Sequence, residues 1–370
     1  MTLLDGLTSL NNPRSAPGLA RSPRPVVRLN DAPLSGVVEV EVTNNAHFTA
    51  DTYRVLLAVA GLPARNRPRL LVRIPGRQDI DRHLARRRDA DAALVGQVDD
   101  VEWDPTGTRI TLTGRDLSAA LIDARTAEKF QNRTASQIAQ ELALRHGLDS
   151  AVQATETNAG TYYEIDHAEV THEMTEWDLL AYLAEREGFD AWVAGTTLHF
   201  EPPPAEAGEP YVLLWSEPGD GTRASNATSL HLRRSQTLAR DGVVTVRSWN
   251  QKQQAAFTVT ARRPQAKKSQ RRGGTSQTFS FVRPNLTRDQ AQQFAEAKAE
   301  EITRHERVLS ASLPGDNALT TRTTIRLVGT GTDWDQVYYP DAVTRRLSMQ
   351  EGYRMEVRAK NHSVQDQVLA

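Results

Sequence analysis

No cysteine occurs among the 370 residues. Disulfides, thiolate zinc centres and a cysteine nucleophile are therefore excluded. No apolar run is long enough to span a bilayer, and the mean hydropathy is -0.53. Met1 to Ala20 lacks the basic start and apolar core of a secretory leader, which predicts synthesis and folding in a cytoplasm. An excess of one charge is missing too: 45 Lys and Arg face 46 Asp and Glu, a net charge of -1. The chain as a whole has no pull toward nucleic acid, so any charge effect is local. There is no G-x-S-x-G elbow, phosphate loop or dinucleotide fingerprint either.

What remains is a hydrophobic content of 39% in a chain whose length predicts two or three domains. The clearest signal runs from Thr171 to Pro204. Thr175 has N-cap chemistry, Glu176 and Asp178 suit a first helical turn, and Leu179, Leu180 and Leu183 recur at helical spacing. Gly188 predicts a left-handed stop, ending the helix near residue 187. Phe189 to Ala194 and Thr197 to Phe200 alternate around Gly195 as a hairpin. Upstream, Thr134 to Gln137 forms a capping box for a second helix that ends at Gly147.

Residues 1–24, rich in Pro, Ser and Asn, predict a flexible arm. Alternating β-rich runs follow at Val26–Leu29, Gly36–Thr43, Thr52–Val59, Arg69–Ile74, Asp91–Val98 and Thr108–Asp116. Their spacing favours a small antiparallel barrel over residues 25–116. Asp116 is placed as N-cap of a short helix over 117–124. Residues 117–204 form an α/β insert, with a further strand at Tyr162–Asp166. A Pro- and Gly-rich linker surrounds Tyr211–Trp215. Strands at Ser229–Arg234, Gly242–Asn250 and Ala255–Ala261, then at Thr323–Leu327, Val337–Leu347 and Gly352–Ala359, build a second barrel from residues 205–261 and 310–370. Residues 262–309 interrupt it with a basic loop and a helix capped by Thr287 and Gln290. The expected fold class is α+β, with two antiparallel β-barrel-like domains, an α/β insert and a further helix-containing segment.

Several short segments resemble the phage late control D family, the baseplate hub proteins of contractile tails, related to the hub part of type VI secretion spike proteins. They are Ala184–Phe189 with Leu198–Phe200, Gly96–Val98, Asp104–Gly107, Gly114–Asp116, Leu117–Asp123, Thr134–Leu148, Val244–Asn250 and Gly352–Val357. Together they cover residues 35–360 in the family's order. Arg345 or Arg346 stands where the family often has His, at what the resemblance makes a packing position.

The resemblance implies a homotrimeric ring joining the six-fold tail tube to the three-fold central spike. Expected partners are the spike, a tube or tube-initiator protein, other baseplate wedge proteins, and tape-measure protein or DNA in the channel. No membrane insertion is implied. The particle is a virion tail baseplate assembled in the host bacterial cytoplasm. Three other readings stay open: the hub of a phage-derived injection particle, a tail-associated cell-wall hydrolase, and a glycan-binding module.

Catalysis has no positive sequence support. Asp99, Asp100 and Glu102, or Glu164 and Asp166, are acid groupings of the kind glycoside hydrolysis uses, but only Trp103 offers a sugar platform. His167 and His172 lack the i, i+4 spacing of a helical zinc pair. No catalytic, cofactor-binding or metal residue is assigned. Arg65, Arg67, Arg69, Arg73, Arg77, Arg82 and Arg86–Arg88 have few aromatics between them, so they read as a solvated face or a channel lining rather than a strand-binding groove. The basic loop 262–274 reads as solvent-exposed, with phosphate or an acidic subunit as the other candidate contacts.

Overall fold

The computed structural model describes residues 25–29, 32–59, 94–126, 128, 130, 133–156, 174–202, 209–216, 224–234, 242–250, 255–262, 277–283, 288–303 and 307–361. The strand expected at Arg69–Ile74, the strand at Tyr162–Asp166, the arginines between Arg65 and Arg88 and the basic loop beyond Arg262 lie outside those residues.

The first β region contains β1 (Arg28–Leu29), β2 (Ala32–Pro33), β3 (Val37–Asn45), β4 (Thr52–Ala58), β5 (Gly96–Asp104) and β6 (Arg109–Asp116). The insert follows with α1 (Ala119–Asp123), β7 (Arg125–Thr126), α2 (Ala135–Arg145), β8 (Asp149–Val152), β9 (Met174–Thr175), α3 (Glu176–Glu187), β10 (Asp190–Ala194) and β11 (Thr197–Glu201). Next come β12 (Tyr211–Ser216), β13 (Ala224–Ser225), β14 (Ser229–Arg234), β15 (Gly242–Asn250), β16 (Ala255–Arg262), β17 (Gln277–Val282) and α4 (Arg288–Thr303). The chain closes with β18 (Arg307–Pro314), β19 (Ile325–Val328), β20 (Val337–Ser348) and β21 (Gly352–Lys360).

Local chemistry explains the helices. Thr175 accepts from the Asp178 amide while Asp178 reaches back to the Thr175 amide, and Thr134 and Gln137 do the same for α2. Gly188 ends α3 at φ 70, a conformation that β-carbon sterics make costly for other residues. Leu179, Leu180 and Leu183 of α3 pack with Ile138 and Leu142 of α2 and with Leu198 and Phe200 of β11 in the insert core. Burying each leucine contributes about 2 kcal/mol. The insert sheet has the order β10-β11-β8, with β11 and β8 parallel.

The fold is mixed α+β and dominated by sheet. Two barrel-like β domains were expected; among the described residues no ring of strand pairs closes. Eleven strands from both β regions share one sheet instead. One path through it runs β14-β18-β21-β20-β3-β4-β6-β5, and β19, β12 and β13 branch from the start of β20. The joint is β20, a strand of 12 residues that pairs with β21 and antiparallel to β3. A strand with partners on both sides carries the sheet onward, so the two regions meet edge to edge.

Other differences have local causes. Tyr211–Trp215, expected as linker, is β12, buried at Tyr211, Val212, Leu213 and Leu214 and parallel to β19. A short continuous apolar run is the pattern of a strand covered on both faces, here flanked by Pro and Gly punctuation. β15 and β16 do not extend the large sheet. With parallel β17 they form a three-stranded sheet whose Val244, Val246, Val259 and Ala261 pack on Ala291 and Ala295 of α4.

Candidate functional site

A chain of buried polar contacts sits where the two β regions and the insert meet. Arg345 on β20 is 8% exposed. Its Nη1 donates to Asn44 Oδ1 at 2.5 Å, its Nε to the Asp316 carbonyl at 3.3 Å, and its Nη2 to the Leu319 carbonyl. Asn44 in turn donates to Asp51 Oδ2 at 2.6 Å, and the Asn45 amide donates to Asp51 Oδ1 at 2.6 Å. The Asp116 amide donates to the Asp51 carbonyl at 2.9 Å, and the Asp116 carboxylate accepts from the Ser118 amide and hydroxyl. Charge is expensive here: burial pulls the Arg345 guanidinium below its ordinary value and pushes Asp51 up. Asp116 is pushed up to about 7, first by burial and also by neighbouring Asp51.

Asp116 is therefore not the N-cap of the short helix. The helix begins at Ala119, and its N-cap is Ser118, whose side chain makes no cap bond. Asp116 ends β6 and closes the turn before the helix, because its carboxylate is within reach of Ser118 two residues on.

The turn between β3 and β4 links this junction to the insert. His47 and Phe48 adopt φ values of 57 and 59, a left-handed conformation costly for bulky residues. That geometry brings Phe48 against the insert core, and its carbonyl accepts from Trp177 Nε1 at 2.6 Å. A bulge at Pro340/Ala342 in β20 receives the other side of the turn. Asp341 accepts from the Ala46 amide through its carbonyl at 2.8 Å, and its carboxylate lies 3.3 Å from His47 Nε2 and 2.9 Å from Lys360 Nζ. Burial pushes Asp341 up, but the hydrogen bonds from His47 and Lys360 outweigh it and hold the carboxylate below its ordinary value. A second tie joins the insert to the second β region. Trp192 stacks on His199 at 4.5 Å, Arg322 lies over the Trp192 ring, and Arg322 Nη2 is 3.8 Å from Asp190.

Of the acidic residues singled out in the sequence, Asp99 and Asp100 line one cavity together with Glu41 and Arg54. Asp99 pairs with Arg115 Nε at 2.7 Å, and Arg115 also reaches Asp123 at 3.1 Å. Asp100 and Glu102 point from the exposed part of β5, and Trp103 beside them is 51% exposed. Glu164, Asp166, His167 and His172 lie outside the described residues. Among the described residues no group of three metal-ligating side chains comes together, and no helix is long and apolar enough to cross a membrane. The arrangement ties segments together through buried hydrogen bonds and ion pairs. Sequence reading missed Asn44, Asp51 and Phe48, and it gave Arg345 a packing role. Only the unusual Arg345 within an alternating strand offered a signal.

The fold is shared with known tail proteins. A tail protein from Neisseria meningitidis MC58 superposes with a TM-score of 0.65 at 14% identity, covering 90% of this chain and 95% of that one. The 43 kDa tail protein of prophage MuSo2 from Shewanella oneidensis gives 0.60 at 14% identity, covering 89% and 95%. Prophage tail protein gp18 from Listeria monocytogenes EGD-e gives 0.56 at 11% identity, covering 90% and 91%. No curated protein sequence matches. A family model described as phage tail baseplate hub (GPD) matches residues 78–351, most of the chain, and the protein belongs to the phage tail baseplate hub family.

Proposed function

We propose that this chain is the hub of a contractile phage tail, in which three copies form a ring between the six-fold tail tube and the three-fold central spike. The observation that carries the proposal is the joint between β20 and β3. It places two β regions side by side in one chain, so three chains present six β units to the tube and three subunits to the spike. Each region acts as one unit of the ring, and the insert, locked to both regions through Phe48–Trp177 and Arg322–Trp192, holds them at a fixed angle.

The function is architectural. The ring nucleates tube polymerisation, seats the spike and encloses part of the channel through which DNA or tape-measure protein passes. Wedge proteins contact its outside, and the protein is built into virions in the bacterial cytoplasm. The test is a nucleation assay: a tail-tube protein of the same phage is mixed with the chain and its spike. Tubes should appear faster and carry this chain at one end only. Unchanged tube kinetics, with no chain at the tube ends, would contradict the reading.

A further inference from the structure

The three-stranded sheet β16-β15-β17 has one covered face and one open face. Val244, Val246, Val259 and Ala261 turn toward α4. Successive side chains of a strand point to opposite faces, so Thr245, Arg247 and Trp249 of β15 turn away from the helix. Register sets Thr260 and Ser280 beside Thr245, Thr258 and Val282 beside Arg247, and Ala256 beside Trp249. Arg247, Thr258, Thr260 and Ser280 are exposed, Trp249 is 54% exposed and Val282 75%. Neither the indole nor the guanidinium adds to the core under the sheet.

Charge in this unit is segregated. Nine Lys and Arg, from Arg247 to Arg283, and no Asp or Glu lie between Gly242 and Thr287, in a chain whose net charge is -1. The acids begin on α4, where Asp289 and Glu296 are exposed on the other side of the sheet. Two of the neighbouring cations are engaged by the helix: Arg283 and Lys298 lie over the Phe294 ring at 5.3 and 5.9 Å. Arg247 is different, because among the described residues no ring or carboxylate meets its guanidinium.

The chemistry of the open face selects its partner. Hydroxyls and a guanidinium donate to phosphate oxygens, and an exposed indole stacks on a base. A protein interface of ordinary size needs a larger apolar centre than Trp249 and Val282 provide. Local positive charge favours a polyanion, since each phosphate contact releases a counterion. We propose that the open face of β16-β15-β17 binds nucleic acid, with Arg247, Thr258, Thr260 and Ser280 on phosphates and Trp249 against an unpaired base. Such contacts hold a strand without reading its sequence. The face belongs to one chain, so the proposal adds to the architectural reading and stands or falls apart from the ring.

The test is fluorescence anisotropy of a labelled DNA oligonucleotide, offered to the full chain without spike as a single strand and as a duplex, over a range of salt. Affinity should fall steeply as salt rises. Arg247→Ala should weaken binding and lower the slope of log affinity against log salt by about one, and Arg247→Lys should restore the slope. Trp249→Ala should weaken the single strand about tenfold and leave a duplex, whose bases are already stacked, unchanged. Both side chains are exposed, so thermal midpoints of the variants should match the wild type. Binding of neither oligonucleotide would overturn the proposal, and so would wild-type affinity in Arg247→Ala, or in Trp249→Ala toward the single strand. Binding to polyglutamate or to phosphatidylglycerol vesicles, with none to either oligonucleotide, would overturn it in favour of an acidic protein or a lipid surface.

Discussion

Trp177 donates its indole hydrogen to the carbonyl of Phe48 at 2.6 Å, across 129 positions of sequence. The acceptor belongs to a left-handed residue at φ 59, and the donor is 5% exposed. One bond thus fixes a strained turn of the first β region to the first turn of α3. Trp177→Phe should keep most of the packing and lose the bond, destabilising the chain by about 1–2 kcal/mol. Phe48→Ala should cost about 2–3 kcal/mol through lost contact with the insert core. Denaturant unfolding measures both, and wild-type midpoints would show that the turn does not hold the insert.

Arg345 supplies three acceptors with donors, one of them, the Leu319 carbonyl, buried and two half-buried. Arg345→Met should destabilise by about 3 kcal/mol, since the acceptors lose their partner inside the junction. Arg345→Lys should recover only part of this, because an ammonium cannot reproduce the planar fork. In a double-mutant cycle with Asn44→Ala the losses should fall short of additivity. Full additivity would mean that the two residues act independently.

Acidity should act through Asp116. Its folded pKa of about 7 stands above the ordinary 3.8, so the folded chain holds that proton more tightly than the unfolded chain. Its contribution is complete below 3.8 and is lost as pH rises toward 7, with a slope of at most about 1.4 kcal/mol per pH unit. Asp116→Asn keeps an acceptor for Ser118 and removes the titration. Unfolding free energies at pH 5 and pH 8 should differ less in the variant than in the wild type. An identical difference would locate the titrating group elsewhere.

Gly188 tests the helix stop. A methyl added there, at φ 70, would enter open space, so Gly188→Ala should cost about 1 kcal/mol from backbone strain alone. Gly114→Ala is a different case, because the added carbon would meet the Gln97 carbonyl and the Tyr53 ring. It should cost more than Gly188→Ala when the two are compared by thermal unfolding, and the reverse order would contradict the register of β5 on β6.

The helices and the hairpin were legible because their signals are local. Thr175, Gly188 and Gly195 each act within four residues of their own position, and the structure places each as expected. Strand pairing was not legible. Thr43 meets Thr344 at 3.0 Å across 301 positions, and nothing in either strand names the other. Alternation showed that β20 was a strand but not that both its edges would be filled, so two barrel-like domains were read apart where, among the described residues, β20 joins both β regions in one sheet. β17 and β18 lie on either side of α4, where the basic loop and the helix drew the reading toward an irregular insert. The polar junction was hidden for the same reason: Asn44, Asp51, Asp116 and Arg345 are ordinary polar residues until the fold buries them together.

The ring is the central claim, and mass in solution tests it most directly. Light scattering on the purified chain of 41.0 kDa, alone and with its spike protein, should show three copies per particle in at least one condition. One copy per particle in both conditions would contradict it.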